Sequence, residues 1–275
     1  MVSQFSLTRE NGFKLSCYSW IPETPDKITI IVHGIGEHAR RYDHVAEELN
    51  KARVAVFSFD LRGHGRSDGK KGHIGSFEAV ISDIDAISMK AKDTLGSLPL
   101  FIYGHSMGGG ITLSKRMFSR NGEAGYIVTS PWLELVNPPS SLLLMLAKAL
   151  NKISPSTTMP SGLDADLLSS DKKVVESYRN DPLVHDRVSA CTGIDGIEYG
   201  KALLSGKSRS STPLFLAHGE CDGIVKVEAS RKIAGMEEGN VTYLELPGHH
   251  ELHNEPACFR PLMDGIVNFM KSNVR

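Results

Sequence analysis

The chain has 275 residues, 40% hydrophobic and 23% charged, so it can bury a sizeable core and global disorder is excluded. Its 31 basic side chains oppose 32 acidic ones, a net charge of −1 that offers no basic footprint for nucleic acid. Cys17, Cys191, Cys221 and Cys258 lack CxxC or CxxxC spacing, which implies neither a zinc site nor a disulfide framework. The opening MVSQFSLTRENG has no basic segment followed by an apolar one, so no signal peptide is expected. No apolar run approaches the roughly 20 residues of a membrane span. The expectation is a soluble, cytoplasmic protein.

In chain order, Ser3–Leu7 and Lys14–Trp20 flank the turn dipeptide Asn11-Gly12 and are expected as antiparallel edge strands. Ile28–His33, Val54–Phe59, Leu100–Tyr103 and Tyr126–Ser130 are short apolar runs ended by glycine, aspartate or proline. Apolar on both faces and rich in β-branched residues, they read as buried strands of a parallel sheet. Ser76–Leu95 is a predicted helix, with Phe77, Val80, Ile81, Ile84 and Ile87 on one face at the 3.6-residue period. Ile111–Phe118, Val227–Ala234 and Ala257–Met270 also read as helices, and Leu214–His218 and Val241–Leu246 as strands. Such alternation predicts the α/β class, an open, doubly wound sheet with helices on both faces. The alternation stops at Pro131 and returns at Leu214. The insertion, roughly 80 residues, is too long for an ordinary loop. The expected organisation is a core of residues 1–130 and 212–275 carrying an inserted cap at 131–211.

The strongest chemical signal is Gly104-His105-Ser106-Met107-Gly108, a G-x-S-x-G string between a strand-like and a helix-like run. That context is the one a nucleophile elbow requires: a tight turn lifts the serine hydroxyl above the sheet, beside a helix N-terminus. A serine hydroxyl needs a base, and the base an orienting carboxylate, in the chain order Ser, Asp/Glu, His. Asp222 follows the Leu214–His218 strand and is the chosen acid, with Glu220 as its neighbour and competitor. After the next strand come His249, His250 and His253, and spacing does not choose among them. The string HELHN is not HExxH, so a zinc-protease reading fails. Amides of Ile35, in the glycine-rich loop after Ile28–His33, and of Met107 are the candidate oxyanion hole. The stretch Gly63–Lys71 lacks Walker spacing and reads as a demanding turn. Leu142–Leu150, apolar almost all round, is either a lid helix that meets a lipid surface or a buried cap helix.

HGIGEHARRY, DLRGHGRSDG, GHSMGGG, YRNDPLVH, HGECDGIV and HHELHNE, in this order from position 33 to 255, resemble the monoacylglycerol lipase and lysophospholipase branch of the α/β-hydrolase superfamily. The resemblance implies the α/β-hydrolase fold: a mostly parallel eight-stranded sheet, helices on both faces, and an inserted helical cap. It places the nucleophile on Ser106 and the acid on Asp222. It selects His250, because the family's histidine immediately precedes a Glu-Leu or similar pair. Glu37, Arg41, His105 and Tyr178 fall on positions that relatives use near the glycerol hydroxyls. Ile35 stands where relatives often carry a small residue. The implied reaction is hydrolysis of a monoacylglycerol to glycerol and fatty acid through an acyl-enzyme, with no metal and no cofactor. A lysophospholipase or a short- or medium-chain carboxylesterase would use the same triad. A proline iminopeptidase-like amidase shares the fold, and a non-catalytic lipid-binding protein on it would typically lack a triad member. The implied partner is a lipid ester, with transient membrane-surface contact through the cap; the oligomeric state is not legible.

Overall fold

Apolar runs bounded by turn residues become strands here because both of their faces are covered. The computed structural model describes residues 2–118, 122–206, 210–237 and 239–274. In chain order the elements are β1 (Val2–Thr8), β2 (Lys14–Trp20), β3 (Lys27–Val32), α1 (Asp43–Lys51), β4 (Val54–Phe59), α2 (Phe77–Leu95), β5 (Leu100–His105), α3 (Met107–Phe118) and β6 (Gly125–Thr129). Then follow α4 (Ser141–Ile153), β7 (Thr158–Met159), α5 (Lys172–Asn180), β8 (Val188–Ser189) and α6 (Ala190–Leu204). The chain closes with β9 (Leu214–Gly219), α7 (Val227–Met236), β10 (Val241–Leu246) and α8 (Phe259–Ser272).

Eight strands form one sheet in the order β1-β2-β4-β3-β5-β6-β9-β10. The pairs β1/β2 and β2/β4 are antiparallel and the other five are parallel. Strand order reverses at β3, so the loops after β3 and β5 open at a topological switch point, where open α/β sheets bind ligands. Side chains alternate across the sheet. Ile28, Ile30 and Val32 of β3 join one core with Val80, Ile84 and Ile87 of α2. Ile31 turns to the other, with Val45 and Leu49 of α1 and Met263 and Ile266 of α8. Ser76 caps α2, its hydroxyl accepting from the Ala79 amide at 3.2 Å.

Two expectations need correction. The connection between β1 and β2 is not a two-residue Asn-Gly hairpin: Glu10–Gly12 form a 3-10 turn, and the Arg9 amide donates to Phe13 O at 2.7 Å. Only β1 of that pair lies at an edge, because β2 also pairs with β4.

The inserted segment is not uniform. Its last helix, α6, packs against α3 and α7, and its Leu203 joins the core beneath the sheet. Close approach requires glycine: a Cβ at Gly200 would lie 2.1 Å from Leu133 O. The helix also packs against α4 of the inserted segment. Glycine carbonyls of the core form the seat of that segment. Gly36 O accepts from the His185 amide (2.9 Å), Gly63 O from His185 Nε2 (3.1 Å), and Gly72 O from the Ser189 amide (2.9 Å).

Candidate active site

Ser106 is the single residue between β5 and α3, and its φ of +54° is a conformation that L-residues rarely adopt. Neighbours impose it: the Ser106 amide donates to Thr129 O at 3.1 Å, and its carbonyl accepts from the amides of Trp132 (2.8 Å) and Gly110 (3.0 Å). The flanking glycines are obligatory. A Cβ at Gly104 would lie 2.3 Å from Gly108 O, and one at Gly108 would lie 2.1 Å from Val32 O. The elbow therefore presses β5, β3 and α3 together and leaves the hydroxyl above the sheet.

His250 Nε2 lies 2.9 Å from Ser106 Oγ, and His250 Nδ1 lies 2.7 Å from Asp222 Oδ2. Asp222 follows β9 by three positions, and its carboxylate is saturated. Oδ1 accepts the amides of Ile224 (2.8 Å) and Val225 (3.0 Å), while Oδ2 also takes His218 Nε2 at 3.1 Å. His218, fully buried near the end of β9, is held in turn by Ser230 Oγ of α7 at 2.7 Å. Burial alone would raise the Asp222 carboxyl, but His250 and His218 hold it well below the usual carboxylate range. Burial works against a charged His250; the Asp222 carboxylate outweighs it, and the ring lies above the ordinary histidine value.

The other histidines are turned away. His249 Nδ1 bonds Glu255 Oε1 at 2.9 Å. His253 is buried and stacks on Tyr42 with ring centroids 4.7 Å apart, and burial pushes it down to about 3. Glu220 is exposed. The amides of Ile35 and Met107 donate to no protein acceptor among the described residues, and that of Met107 opens α3. Both residues flank the serine.

Two hollows meet at Ser106. A cavity of about 250 Å³ is walled by Ile35, Trp132, Leu135, Leu167, Ile224 and Val225, with Ser106 at its end. A second cavity, about 380 Å³, shares Trp132 and Leu135 with it and reaches Leu144 of α4. On the other side, Glu37, His105, Tyr178, His250 and Glu251 surround a hollow of about 10 Å³ beside Ser106. His105 spends Nδ1 on Thr129 Oγ1 at 3.0 Å, and its Nε2 has no protein partner among the described residues; neither has the Tyr178 hydroxyl.

Glu37 and Arg41 differ from this. Glu37 Oε1 accepts the Gly34 amide (2.6 Å) and the Tyr42 hydroxyl (2.9 Å), while Oε2 takes Arg41 Nη1 (2.8 Å). Arg41 also grips Glu251 at both oxygens, 2.6 and 2.7 Å, and is absent from the wall of the small hollow. Arg41 thus gives both Nη1 hydrogens and one of Nη2 to carboxylates. His218 and Glu251 escape a sequence reading. A histidine near the end of an apolar strand reads as core, and the Arg41–Glu251 partners stand 210 residues apart.

The family model Hydrolase_4, described as serine aminopeptidase S33, matches residues 23–257. A monoacylglycerol lipase of Mycolicibacterium smegmatis is 30% identical over 276 residues, covering 99% of this chain and 98% of that protein. The phospholipase YtpA of Bacillus subtilis is 31% identical over 243 residues, 87% of this chain and 93% of the relative. Among solved structures, a monoacylglycerol lipase of Paleococcus ferrophilus superposes with a TM-score of 0.85 at 32% identity, covering 94% of this chain and 99% of that one.

Proposed function

The chain belongs to the Hydrolase_4 family, serine aminopeptidase S33, and we propose that it is a carboxylic ester hydrolase that cleaves monoacylglycerols through an acyl-enzyme on Ser106. The observation that carries this reading is the relay Ser106 Oγ–His250 Nε2 (2.9 Å) and His250 Nδ1–Asp222 Oδ2 (2.7 Å) at the mouth of an apolar cavity. His250 takes the serine proton as Oγ attacks the ester carbonyl, and Asp222 stabilises the imidazolium. The oxyanion is received by the amides of Ile35 and Met107, each worth roughly 2.7–4 kcal/mol of transition-state stabilisation. Glycerol leaves with the proton from His250, water activated by His250 cleaves the acyl-enzyme, and the fatty acid departs.

The acyl chain lies in the 250 Å³ cavity. Allowing roughly 30 Å³ per methylene, about the share of one water molecule, it takes about eight carbons. Longer chains pass Trp132 and Leu135 toward α4. The glycerol end lies on the side of His105 and Tyr178, whose free Nε2 and hydroxyl meet its hydroxyl groups; the hollow there, about 10 Å³, holds no more than a water-sized group and must widen to admit glycerol. A lysophospholipid fits this end less well: Glu37 and Glu251 face it, and among the described residues no Lys or Arg lines it. The inserted segment, α6 included, lines these cavities.

No described helix is long and apolar enough to cross a membrane. The helix α4 instead rests on lipid surfaces: Leu142, Met145, Leu146 and Ile153 are 56–84% exposed, and Leu144 of the same helix lines the second cavity. Sedimentation with liposomes checks this contact, and Leu142→Glu with Leu146→Glu should abolish it; unchanged binding of that variant would remove α4 from the account.

Fatty-acid release from medium- and long-chain monoacylglycerols, lysophosphatidylcholine and p-nitrophenyl butyrate tests the substrate assignment. Selective cleavage of monoacylglycerol by the native chain and none by Ser106→Ala is the expected result. Turnover surviving in Ser106→Ala would overturn the mechanism, and hydrolysis of the activated ester alone would overturn the glycerol preference.

A further inference from the structure

We propose that Arg41 is a positioning residue that ties the oxyanion loop to the histidine loop, and that it does not hold the alcohol of the substrate. The inference rests on the ester-hydrolase reading but not on the glycerol preference.

Glu37 Oε1 accepts the Gly34 amide at 2.6 Å, which fixes the chain immediately before the Ile35 peptide. Tyr42 steadies the same oxygen from behind. Glu37 Oε2 then takes Arg41 Nη1, and the guanidinium spans to both oxygens of Glu251, the residue after His250. A planar guanidinium makes a directional, two-point clamp that a point charge does not reproduce. Glu251 is further held by Asn254 Nδ2 at 2.7 Å, and its amide donates to Leu168 O of the cap at 2.8 Å. Tyr178 of α5 lies over the guanidinium, 4.8 Å from ring centroid to Cζ. One largely enclosed cation thus touches the loop that carries an oxyanion donor, the loop that carries the base, and the cap.

Two carboxylates share this one guanidinium and respond differently. Burial pushes Glu37 up, whereas at Glu251 the two-point bond to Arg41 overcomes burial and pushes it down. By geometry Arg41 makes two bonds to Glu251 and one to Glu37, so Glu37 is joined to the histidine loop through Arg41.

The two roles make opposite forecasts for an ester without glycerol. A glycerol ligand matters only to a glycerol ester and shows in KM. A yoke matters to every ester and shows in kcat. The experiment compares Arg41→Gln, Arg41→Lys and Glu37→Gln on p-nitrophenyl butyrate and on a medium-chain monoacylglycerol. A trifluoromethyl ketone serves as a tetrahedral-adduct probe. Glu37→Gln keeps the Arg41–Glu251 pair and turns an amide N–H₂ toward Arg41, so it decides the question if Arg41→Gln does not fold. The expected result is a fall in kcat on the order of 10- to 100-fold on both esters, with KM within about threefold. The ketone should weaken in parallel, and Arg41→Lys should recover part of the loss. Loss confined to the glycerol ester, loss in KM, or native turnover of p-nitrophenyl butyrate by the folded variants would overturn the proposal. If the native chain ignores monoacylglycerol, the substrate reading fails while this comparison proceeds on the activated ester.

Discussion

Replacing Asp222 with asparagine should leave the fold intact and cut kcat by about 10⁴, the loss that the equivalent change brings in serine proteases. At 1.36 kcal/mol per factor of ten, this is about 5.4 kcal/mol of lost transition-state stabilisation. The local hydrogen bonds explain why the amide cannot escape the penalty. Oδ1 of Asp222 accepts two backbone amides, those of Ile224 and Val225, and Oδ2 accepts two imidazole N–H groups, from His250 and His218. Turning the asparagine N–H₂ toward the backbone would leave two buried amide donors unsatisfied, at about 1–3 kcal/mol each. The N–H₂ therefore faces the histidines, and each ring must offer a lone pair instead of a proton. His218 changes tautomer at little cost, because its other partner, the Ser230 hydroxyl, both donates and accepts. His250 has no such freedom: a proton moved to Nε2 points at Ser106 Oγ, where the base must accept one. Steady-state hydrolysis of p-nitrophenyl butyrate with thermal unfolding alongside is the assay. A loss below about 30-fold in a folded variant, on a scale where the full effect is about 10⁴, would refute the tautomer argument.

Three further outcomes follow from the same geometry. Neutral His250 is the base and its ring is raised above 6.5, so kcat/KM of the native chain should fall as pH drops through a value above 6.5; a midpoint well below that would contradict the Asp222 pairing. His218→Ala removes one donor from the Asp222 carboxylate and should lower kcat on the order of 10-fold with KM preserved, since a hydrogen bond to a charged group contributes about 1.5–3 kcal/mol; unchanged kcat would make His218 a spectator. Ser106→Gly should unfold at higher temperature than Ser106→Ala. Release of the positive φ is worth about 1–2 kcal/mol against about 0.5–1 kcal/mol of extra chain entropy. The net, roughly 0–1.5 kcal/mol, is up to about 6 °C in a chain of this size, and an inverted order would show that the elbow is not strained.

Much of the sheet is legible in the sequence because parallel strands with both faces covered carry unbroken apolar runs, as in Ile30–Val32 and Phe101–Tyr103. The helix α1 escapes: six of its nine residues are polar or charged, and only Val45, Ala46 and Leu49 are buried. Ser106 is readable from local chemistry, since the glycines on either side are demanded by backbone that passes within 2.1–2.3 Å of a Cβ position. Choice among His249, His250 and His253 is not local. Which ring faces the serine depends on Glu255 holding one aside and Tyr42 stacking on another. The packing of α6 is not local either: Gly196 and Gly200 are the face on which Trp132 and Leu133 press.

The cap is seated on the core by main-chain oxygens of Gly36, Gly63 and Gly72, which present the same acceptors whatever side chains come to rest on them. Where the inserted segment meets these glycines, two of its contacts use only main-chain amides; elsewhere it reaches the core with side chains, as Asp181 does to His38 and Ser170 to Glu255. Contacts of the first kind outlast a change of side chain in the segment and contacts of the second do not, so substitutions should be tolerated where its backbone rests on the glycines and not at Asp181 or Ser170.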